Sequence, residues 1–404
     1  MPWQEISPMS EKLEFVRSCL DRRVSVVERC RQFGISEKTG HKLLKRFREE
    51  GLAGVDERSR ARLTHPHRIT SEVRSEIIAL RRKYPLYGAQ TIRDILVREN
   101  PAAHWPAASS IGELLKRENL IRSKRKKQTL DHSALNTGRA RAREPNLVWT
   151  ADFKGHFRLG GLGPYCYPLT VMDLQTRYLL TCTALKSTAV ATAEKVFLRL
   201  FQEYGLPVVI RTDNGVPFCQ PNALGRLGRL GFWWVRLGIK PEHTRPATPS
   251  DNGAHERFHK TLKAAAISPA SPSMTTQQKR FDEFQREYNE HRPHRSLPEH
   301  KPPAEFYATS PRPYPKRLPV LEYPSDAHAR LVSSTGTFKW NRTALHLSIN
   351  LAGQYVGISE TDRQSETVPG AGPLLRVSYG SLQLGYIEPE PVRFVPSLGW
   401  TGQI

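Results

Sequence analysis

The first fifty residues carry their apolar side chains at the spacing of α-helices. Three stretches, residues 10–22, 25–33 and 37–50, place apolar positions three or four residues apart. Ser36 stands just before the last stretch and is an expected N-cap. The pattern predicts a small all-α domain over residues 1–65.

The third helix of this domain has an apolar face and a cationic face. Leu43, Leu44 and Phe47 share the inner side. Four cations are expected on the outer side, namely Lys38, Lys42, Lys45 and Arg46. Three tightly connected helices that end in a basic one are the layout of a helix-turn-helix, whose last helix enters the major groove of DNA. A basic three-helix bundle without groove contacts is the alternative.

Residues 66–128 repeat this theme with a different sequence. Helical patterns cover residues 70–84 and 89–99. Ser110 and Glu113 form a capping-box pattern that is expected to open a third helix. We predict a second helix-turn-helix or winged-helix-like domain.

A cationic run follows the last of these helices. Its candidate DNA-binding members are Lys124, Arg125, Lys126 and Lys127. Such a run is either a solvated linker or an arm that tracks DNA phosphates. Residues 129–145, which are polar and rich in arginine, are expected to be a basic linker between domains.

The pattern changes after this linker. β-Branched and aromatic residues dominate four runs that predict strands, at 147–154, 165–173, 178–185 and 208–212. Helical patterns cover residues 188–204 and 276–291. Three strands, a helix and a further strand predict a central α/β core over residues 146–312.

The last segment, residues 313–404, alternates short apolar runs with glycine turns. The runs lie at 345–349, 374–377 and 382–387. We expect a small β-barrel here. The predicted fold class is therefore multidomain, with N-terminal all-α helix-turn-helix domains, a central α/β core and a C-terminal small β-barrel.

Charge narrows the class of partner. The 404 residues carry a formal net charge of +22, whereas residues 325–404 contain six cationic and six acidic residues. Because the excess avoids one end of the chain, a polyanionic partner explains it better than a generally basic surface does.

Other features exclude several classes of protein. The five cysteines are scattered without a CxxC pair, so neither a disulfide framework nor a zinc knuckle is expected. No apolar run approaches the roughly 20 residues of a membrane helix. The N-terminus lacks the pattern of a secretion signal, and we expect an intracellular protein.

Three acidic residues lie where an α/β core would gather side chains. Asp152 is on the first strand, Asp213 ends a strand and begins an Asp-Asn-Gly turn, and Glu256 lies where a turn leads into a helix. Phosphodiester chemistry explains carboxylates in so basic a chain. Carboxylates bind Mg²⁺, and a pair of such ions stabilises both the attacking and the leaving oxygen.

Several stretches of this core resemble the integrase core of bacterial insertion-sequence transposases, a relative of the retroviral integrase core with a ribonuclease-H-like fold. They are VWTADFKG at 148–155, YPLTVMD at 167–173, RTDNG at 211–215, TPSDNG at 248–253, ERFHKTLK at 256–263 and YNEHRPH at 288–294. The resemblance implies that Asp152, Asp213 and Glu256 are the catalytic triad of a DDE transposase. It also implies that they hold two Mg²⁺ or Mn²⁺ ions per active site.

The same resemblance implies an activity and partners. The chain would cleave phosphodiester bonds at transposon ends and join the 3′-hydroxyl to target DNA. Its partners would be double-stranded DNA, of transposon ends and target, and further copies of itself in a homo-oligomer on DNA. We expect His259, Lys260 and Lys263 to contact that DNA, and we expect the protein in the bacterial cytoplasm with the nucleoid.

Two features depart from the family pattern. Asp213 and Glu256 are separated by 42 residues, more than is usual, and we assign the excess to a surface insertion at residues 225–234. Retroviral relatives also carry a His/Cys zinc module before the core. Nothing in this sequence supplies one, and the helix-turn-helix is expected in its place.

Two other functions fit part of the sequence. The segment from His255 to His259 matches HExxH, the zinc-protease motif, with Glu283 or Glu287 as a third ligand. That interpretation leaves Asp152 and the net charge unexplained. A non-catalytic DNA-binding regulator with a decayed core is the stronger alternative, although all three carboxylates lie in their expected contexts.

Overall fold

A computed structural model of the chain describes residues 8–21, 24–57, 69–121, 140, 142–244, 253–364 and 373–402. The chain divides into two compact units, residues 1–69 and 70–404. No helix within the described ranges is both long and apolar enough to span a lipid bilayer.

The first unit is the expected three-helix domain. Its helices are α1 (Pro8–Leu20), α2 (Val26–Gln32) and α3 (Glu37–Glu50), close to the predicted bounds. The Ser36 hydroxyl accepts a hydrogen bond from the Thr39 N–H at 3.3 Å, which confirms the predicted N-cap. The buried side chains of the unit are Phe15, Val16, Cys30, Leu43, Leu44 and Val55.

The second unit begins with three more helices, α4 (Ser71–Lys83), α5 (Ala89–Glu99) and α6 (Ala108–Arg117). The predicted capping box at Ser110 is wrong. Helix α6 begins two residues earlier, after Ala107, which makes no side-chain capping hydrogen bond. Ala107 is the N-cap, three residues before Ser110, so Ser110 already lies within the first turn of the helix and cannot open it.

The central domain is built on a mixed sheet. Its strands are β1 (Val148–Phe153), β2 (Phe157–Arg158), β3 (Tyr165–Asp173), β4 (Leu179–Leu185), β5 (Val209–Thr212) and β6 (Lys240–His243). The order is β2-β3-β1-β5-β6, with β4 also paired to β3. Strands β1, β3 and β4 pair antiparallel, and β1, β5 and β6 pair parallel. The sequence predicted β1, β3, β4 and β5 but missed β2 and β6, whose residues lack an apolar run.

Helices cover both faces of this sheet. The helices are α7 (Val190–Tyr204), α8 (Arg229–Arg236), α9 (Gly253–Leu262) and α10 (Met274–Arg286), and α9 and α10 each end in a π-helical turn, Lys263–Ile267 and Glu287–His291. Side chains alternate along β1 with period two. Trp149 and Ala151 therefore pack towards α7 and α8, whereas Thr150 and Asp152 face the side that α9 covers.

Helix α8 corrects the prediction of a surface insertion at residues 225–234. Leu230 and Trp234 are buried in the core beneath α7. Phe232 and Val235, on the other side of the helix, are buried against the C-terminal sheet. The prediction failed because the segment is a short crossover between the parallel strands β5 and β6 and packs into two cores at once.

The C-terminal segment is not confirmed as a small β-barrel. Its strands are β7 (His328–Leu331), β8 (Thr337–Trp340), β9 (Thr343–His346), β10 (Tyr355–Gln364), β11 (Pro373–Tyr379), β12 (Leu382–Pro389) and β13 (Val392–Trp400). In the described residues, five of them form an open antiparallel sheet in the order β13-β12-β11-β10-β7, beside a β8-β9 hairpin. The apolar face is covered by side chains of α8 and the hairpin, so burial does not require closure.

Candidate active site

Two of the three candidate carboxylates lie side by side at one edge of the central sheet. The parallel strands β1 and β5 pair Ala151 with Thr212. Asp152 and Asp213 are the next residues along these two strands. Glu256 is in the first turn of α9 and its side chain is exposed.

Both aspartates are held where ionisation is unfavourable. Burial, followed by the charge of Asp213 and more weakly that of Glu256, raises the pKa of Asp152 to about 7 against the opposing charge of Lys154. Burial also raises the pKa of Asp213, although the Gly215 N–H donates to its Oδ1 at 3.1 Å and opposes the rise. Two adjacent buried carboxylates favour a bound cation, since it relieves both desolvation and repulsion.

This donor set fits a hard divalent cation. Carboxylate oxygens are the ligands that Mg²⁺ prefers, and Mg²⁺ keeps several waters when few protein ligands are present. In the described part of the chain, however, no three His, Cys, Asp or Glu residues form a group that could hold one ion. Asp152 and Asp213 therefore form the core of the candidate site, and Glu256 lies outside their immediate contact.

A buried hydrogen-bond network fixes α9 to the sheet beside Asp152. The Thr170 hydroxyl lies 2.7 Å from His255 Nε2 and 2.9 Å from His259 Nε2. The same hydroxyl donates to the carbonyl oxygen of Asp152 at 3.0 Å. His255 Nδ1 lies 3.0 Å from the Thr150 hydroxyl. We call these four residues, Thr150, Thr170, His255 and His259, the Thr–His network.

Both imidazoles of the network are neutral. Burial lowers the pKa of His255 to about 3, and burial together with His255 lowers that of His259 to about 2. Because the Thr170 hydroxyl donates its own proton to the carbonyl oxygen of Asp152, both imidazoles donate to it from Nε2–H. His255 Nδ1 then accepts from Thr150.

The network corrects one candidate DNA contact. His259 is only 7% exposed, so it cannot reach a nucleic acid from this position. His255 is fully buried. Lys260 and Lys263 are exposed and remain candidate contacts.

The network also argues against a zinc site. Both nitrogens of His255 are engaged with threonine hydroxyls, so neither offers a free lone pair to a metal. Glu283 and Glu287, the third ligands considered for HExxH, lie at α10, and Glu287 accepts a hydrogen bond from the Tyr87 hydroxyl at 2.5 Å.

The candidate cations of the helix-turn-helix mostly point outwards. Lys38, Lys42 and Lys45 are exposed on α3. Arg46 differs, because its guanidinium donates to the carbonyl oxygen of Asp56 at 2.7 Å and braces the end of the domain. The other cationic candidates, Lys124, Arg125, Lys126 and Lys127, lie outside the described residues.

Three members of the network had a signal in the sequence. Thr150 lies two residues before Asp152 and so shares its face of β1. On α9, His255, Phe258, His259 and Leu262 form one stripe at spacings of three and four. Since Phe258 and Leu262 are apolar, this stripe indicates the side of α9 that faces the core.

The buried state of Asp152 predicts how stability depends on pH. A carboxyl group whose pKa rises on folding destabilises the fold once it ionises. The cost is absent below the ordinary value of 3.8 and is complete above about 7. Asp152→Asn should therefore stabilise the metal-free protein by about 1–3 kcal/mol at pH 8 and by little at pH 4.

Urea unfolding in chelator at the two pH values measures this difference. Glu194→Gln, which changes an exposed carboxylate on α7, is the matched control and should have no such pH dependence. An equal effect of Asp152→Asn at both pH values would contradict the assignment of a raised pKa.

Comparison with known families agrees with this architecture. Two models described as integrase core domain match residues 142–249 and 237–303. A helix-turn-helix domain model matches residues 11–62, and a homeodomain-like domain model matches residues 39–115. The chain thus combines helix-turn-helix domains with an integrase core, which is the class of the nucleic-acid-processing transposases and integrases.

Individual similar proteins indicate which transposases and integrases the chain resembles. The chain is 26% identical over 299 residues to the transposase InsD for insertion element IS2-9 of Escherichia coli, which covers 71% of this chain and 91% of the relative. It is 28% identical over 129 residues to the Pol polyprotein of Feline endogenous virus ECE1, but spans only 11% of that polyprotein. The resemblance to bacterial insertion-sequence transposases with a retroviral-integrase-like core is confirmed.

A solved structure is also similar. It is the HTLV-2 integrase catalytic core domain in complex with magnesium, with 16% identity, 42% of this chain and 100% of that chain covered, and a TM-score of 0.33.

Proposed function

We propose that this chain is a DDE transposase that cleaves DNA at transposon ends and joins the freed 3′-hydroxyl to target DNA. The observation that carries the proposal is the buried pair Asp152 and Asp213 on adjacent strands of an integrase core. A carboxylate pair whose ionisation is disfavoured in the absence of a cation suits metal-assisted phosphodiester chemistry.

The residues of the candidate site would have two roles, metal binding and positioning of the metal ligands. Asp152, Asp213 and Glu256 would hold two Mg²⁺ or Mn²⁺ ions. When bound, the ions would supply activation of the attacking oxygen and stabilisation of the leaving oxygen. The Thr–His network ties α9 to the backbone of Asp152. Through this attachment it would position Glu256, which lies on the first turn of α9, for a role at the same site.

Water would be the first nucleophile at the junction between element and host DNA. The 3′-hydroxyl released there would be the second, in the same site, and would attack target DNA. Both displacements exchange one phosphodiester oxygen for another, so no external energy source is needed. Because two ends must be joined, we propose a homo-oligomer on double-stranded DNA.

The decisive experiment is incubation of the purified full chain with Mg²⁺ and a duplex that carries the ends of its own element. Nicks at the junction and joined products on a denaturing gel would support the proposal, and chelator should remove both. Specific binding without any nicking in Mg²⁺ or Mn²⁺ would instead support the non-catalytic regulator.

Recognition of the ends is assigned to the helical domains. Lys38 and Lys42 are exposed, one turn apart on α3, and should enter the major groove. We expect the variant Lys38→Gln/Lys42→Gln to lower affinity for end-containing duplex about tenfold or more. Footprinting of the full chain on end-containing and scrambled duplexes measures this.

The control removes the same charge from the same domain. Arg17→Gln/Arg31→Gln changes exposed residues on α1 and α2 and should weaken binding less, without loss of preference for the ends. Equal losses in the two variants would mean that the domain supplies only general positive charge.

A further inference from the structure

The charges of Arg177, Arg257 and Arg292 all act on the His294 imidazole, just after the end of α10, so the three side chains lie in one region of the central domain. Arg177 lies in the turn between β3 and β4, Arg257 follows Glu256 on α9, and Arg292 follows the π-helical turn at the end of α10. Each comes from a different element, so the convergence is a product of the fold.

Aromatic rings pack against Arg292 and against the part of α9 that carries Arg257. The Arg292 guanidinium carbon lies 6.0 Å from the centroid of the Tyr288 ring and 5.3 Å from that of Tyr87. The Tyr288 hydroxyl lies 3.3 Å from His294 Nε2. The Phe258 ring, next to Arg257 in the chain, packs edge-on against Tyr288 at 5.3 Å.

Two acidic groups nearby, Asp173 and Glu287, are already engaged. Asp173 accepts hydrogen bonds from the Asn146 N–H and from the N–H and hydroxyl of Thr176, at 2.7–2.8 Å. Glu287 accepts from the Tyr87 hydroxyl. Among the described residues, none forms an ion pair with Arg177, Arg257 or Arg292. Arg177 Nη1 is buried and has no hydrogen-bond partner in that part of the chain.

The charges of the three arginines act in the same direction on their surroundings. Burial lowers the pKa of His294 to about 4, and the charges of Arg177, Arg292 and Arg257 add to that lowering. A buried guanidinium nitrogen without a partner is costly, and an anion would satisfy it. Guanidinium groups match phosphate oxygens in pairs, so phosphate is the anion that the cluster fits.

The sheet register relates Arg177 to the carboxylates. Asp173, four residues before Arg177, pairs with Trp149 at the start of β1, three residues before Asp152. Three strand residues span on the order of 10 Å. Nucleotides of a DNA strand follow one another about every 3.4 Å along the duplex axis, so a phosphate a few nucleotides away lies within this range.

We propose that Arg177, Arg257 and Arg292 form a binding site for a phosphodiester group of the DNA strand that runs through the active site, a few nucleotides from the scissile bond. The inference rests on the proposed function for its choice of DNA. The site would fix the path of the strand relative to Asp152 and Asp213, with Arg257 linking it to α9.

The test measures DNA binding in chelator, so that it does not depend on cleavage. Full-length protein is titrated with a short duplex that carries its element end and junction. In a series of such duplexes, one phosphate at a time near the junction is replaced by a neutral methylphosphonate. Arg177→Gln, Arg257→Gln and Arg292→Gln are compared with Arg229→Gln, an exposed arginine at the start of α8, as the control.

The wild type should bind more weakly when one or two particular phosphates are neutral. Each of the three variants should lower affinity about three- to tenfold and reduce the salt slope by about one. Each should also be insensitive to methylphosphonate at those positions, whereas Arg229→Gln should behave as wild type.

Folded variants that keep wild-type affinity, or that keep the full sensitivity to the neutral phosphates, would overturn the proposal. Circular dichroism identifies any variant that fails to fold, and the remaining single variants then decide. If the wild type binds in this way but never cleaves in Mg²⁺, the proposed activity fails while the phosphate site stands.

Discussion

Asp152→Asn, Asp213→Asn and Glu256→Gln are each expected to reduce DNA strand cleavage by about a thousandfold or more, because ion-bound oxygens contribute several kcal/mol to the transition state. Binding to end-containing duplex should remain near the wild-type level, since phosphate contacts by Lys and Arg supply most of the affinity. Cleavage of a labelled duplex in Mg²⁺ and in Mn²⁺, beside a binding titration in chelator, measures the two effects separately.

Glu283→Gln is the matched control for these variants. Glu283 is an exposed carboxylate on α10, and the change should leave cleavage intact. A zinc site at HExxH predicts the opposite pattern. Changing Glu283 would then remove activity, whereas changing Asp152 would leave activity intact. Wild-type cleavage by any one of the three carboxylate variants would remove that residue from the triad.

Thr170→Val should cost about 2–5 kcal/mol of folding free energy and should impair cleavage as well. The substitution keeps the shape of the side chain but leaves the Nε2 atoms of two buried imidazoles, His255 and His259, without a partner. Each buried group left unsatisfied costs about 1–3 kcal/mol. Because α9 carries Glu256, a displaced helix should also raise the Mg²⁺ concentration needed for cleavage. Thr170 thus acts as a positioning residue.

Urea unfolding and a Mg²⁺ titration of cleavage test this role. Thr170→Ser keeps the hydroxyl and should restore most of both properties. If Thr170→Val were as stable and as active as Thr170→Ser, the hydroxyl would have no part in holding α9.

The sequence was most informative where one element faces one core. Helices α3 and α5 were predicted to the residue because their apolar positions follow a single period. Strand β3 was also predicted to the residue, from an apolar run that is buried on both faces of the sheet, with Val171 in one core and Met172 in the other. Asp152 and Asp213 were found in the same way, since each stands at a strand position defined by its neighbours.

The features that the sequence did not predict depend on packing between segments that are far apart in the chain. Whether the C-terminal strands close into a barrel depends on which surface covers their apolar face, and α8 lies far from them in the chain. Helix α8 itself is apolar on two sides, which obscures its period. The prediction that His259 contacts DNA together with Lys263 is wrong. His259 is polar, but it lies on the same buried stripe of α9 as Phe258 and Leu262.

Helix α8 also limits how this protein can be divided. Phe232 and Tyr379 pack edge to face at 5.7 Å, while Trp234 on the same helix packs against Phe197 of the integrase core at 5.0 Å. The integrase core and the C-terminal sheet therefore pack against the same helix and belong to one compact unit. A gene copy that has lost its 3′ end would encode a core with a bare apolar helix, prone to aggregation and proteolysis, rather than an intact catalytic domain.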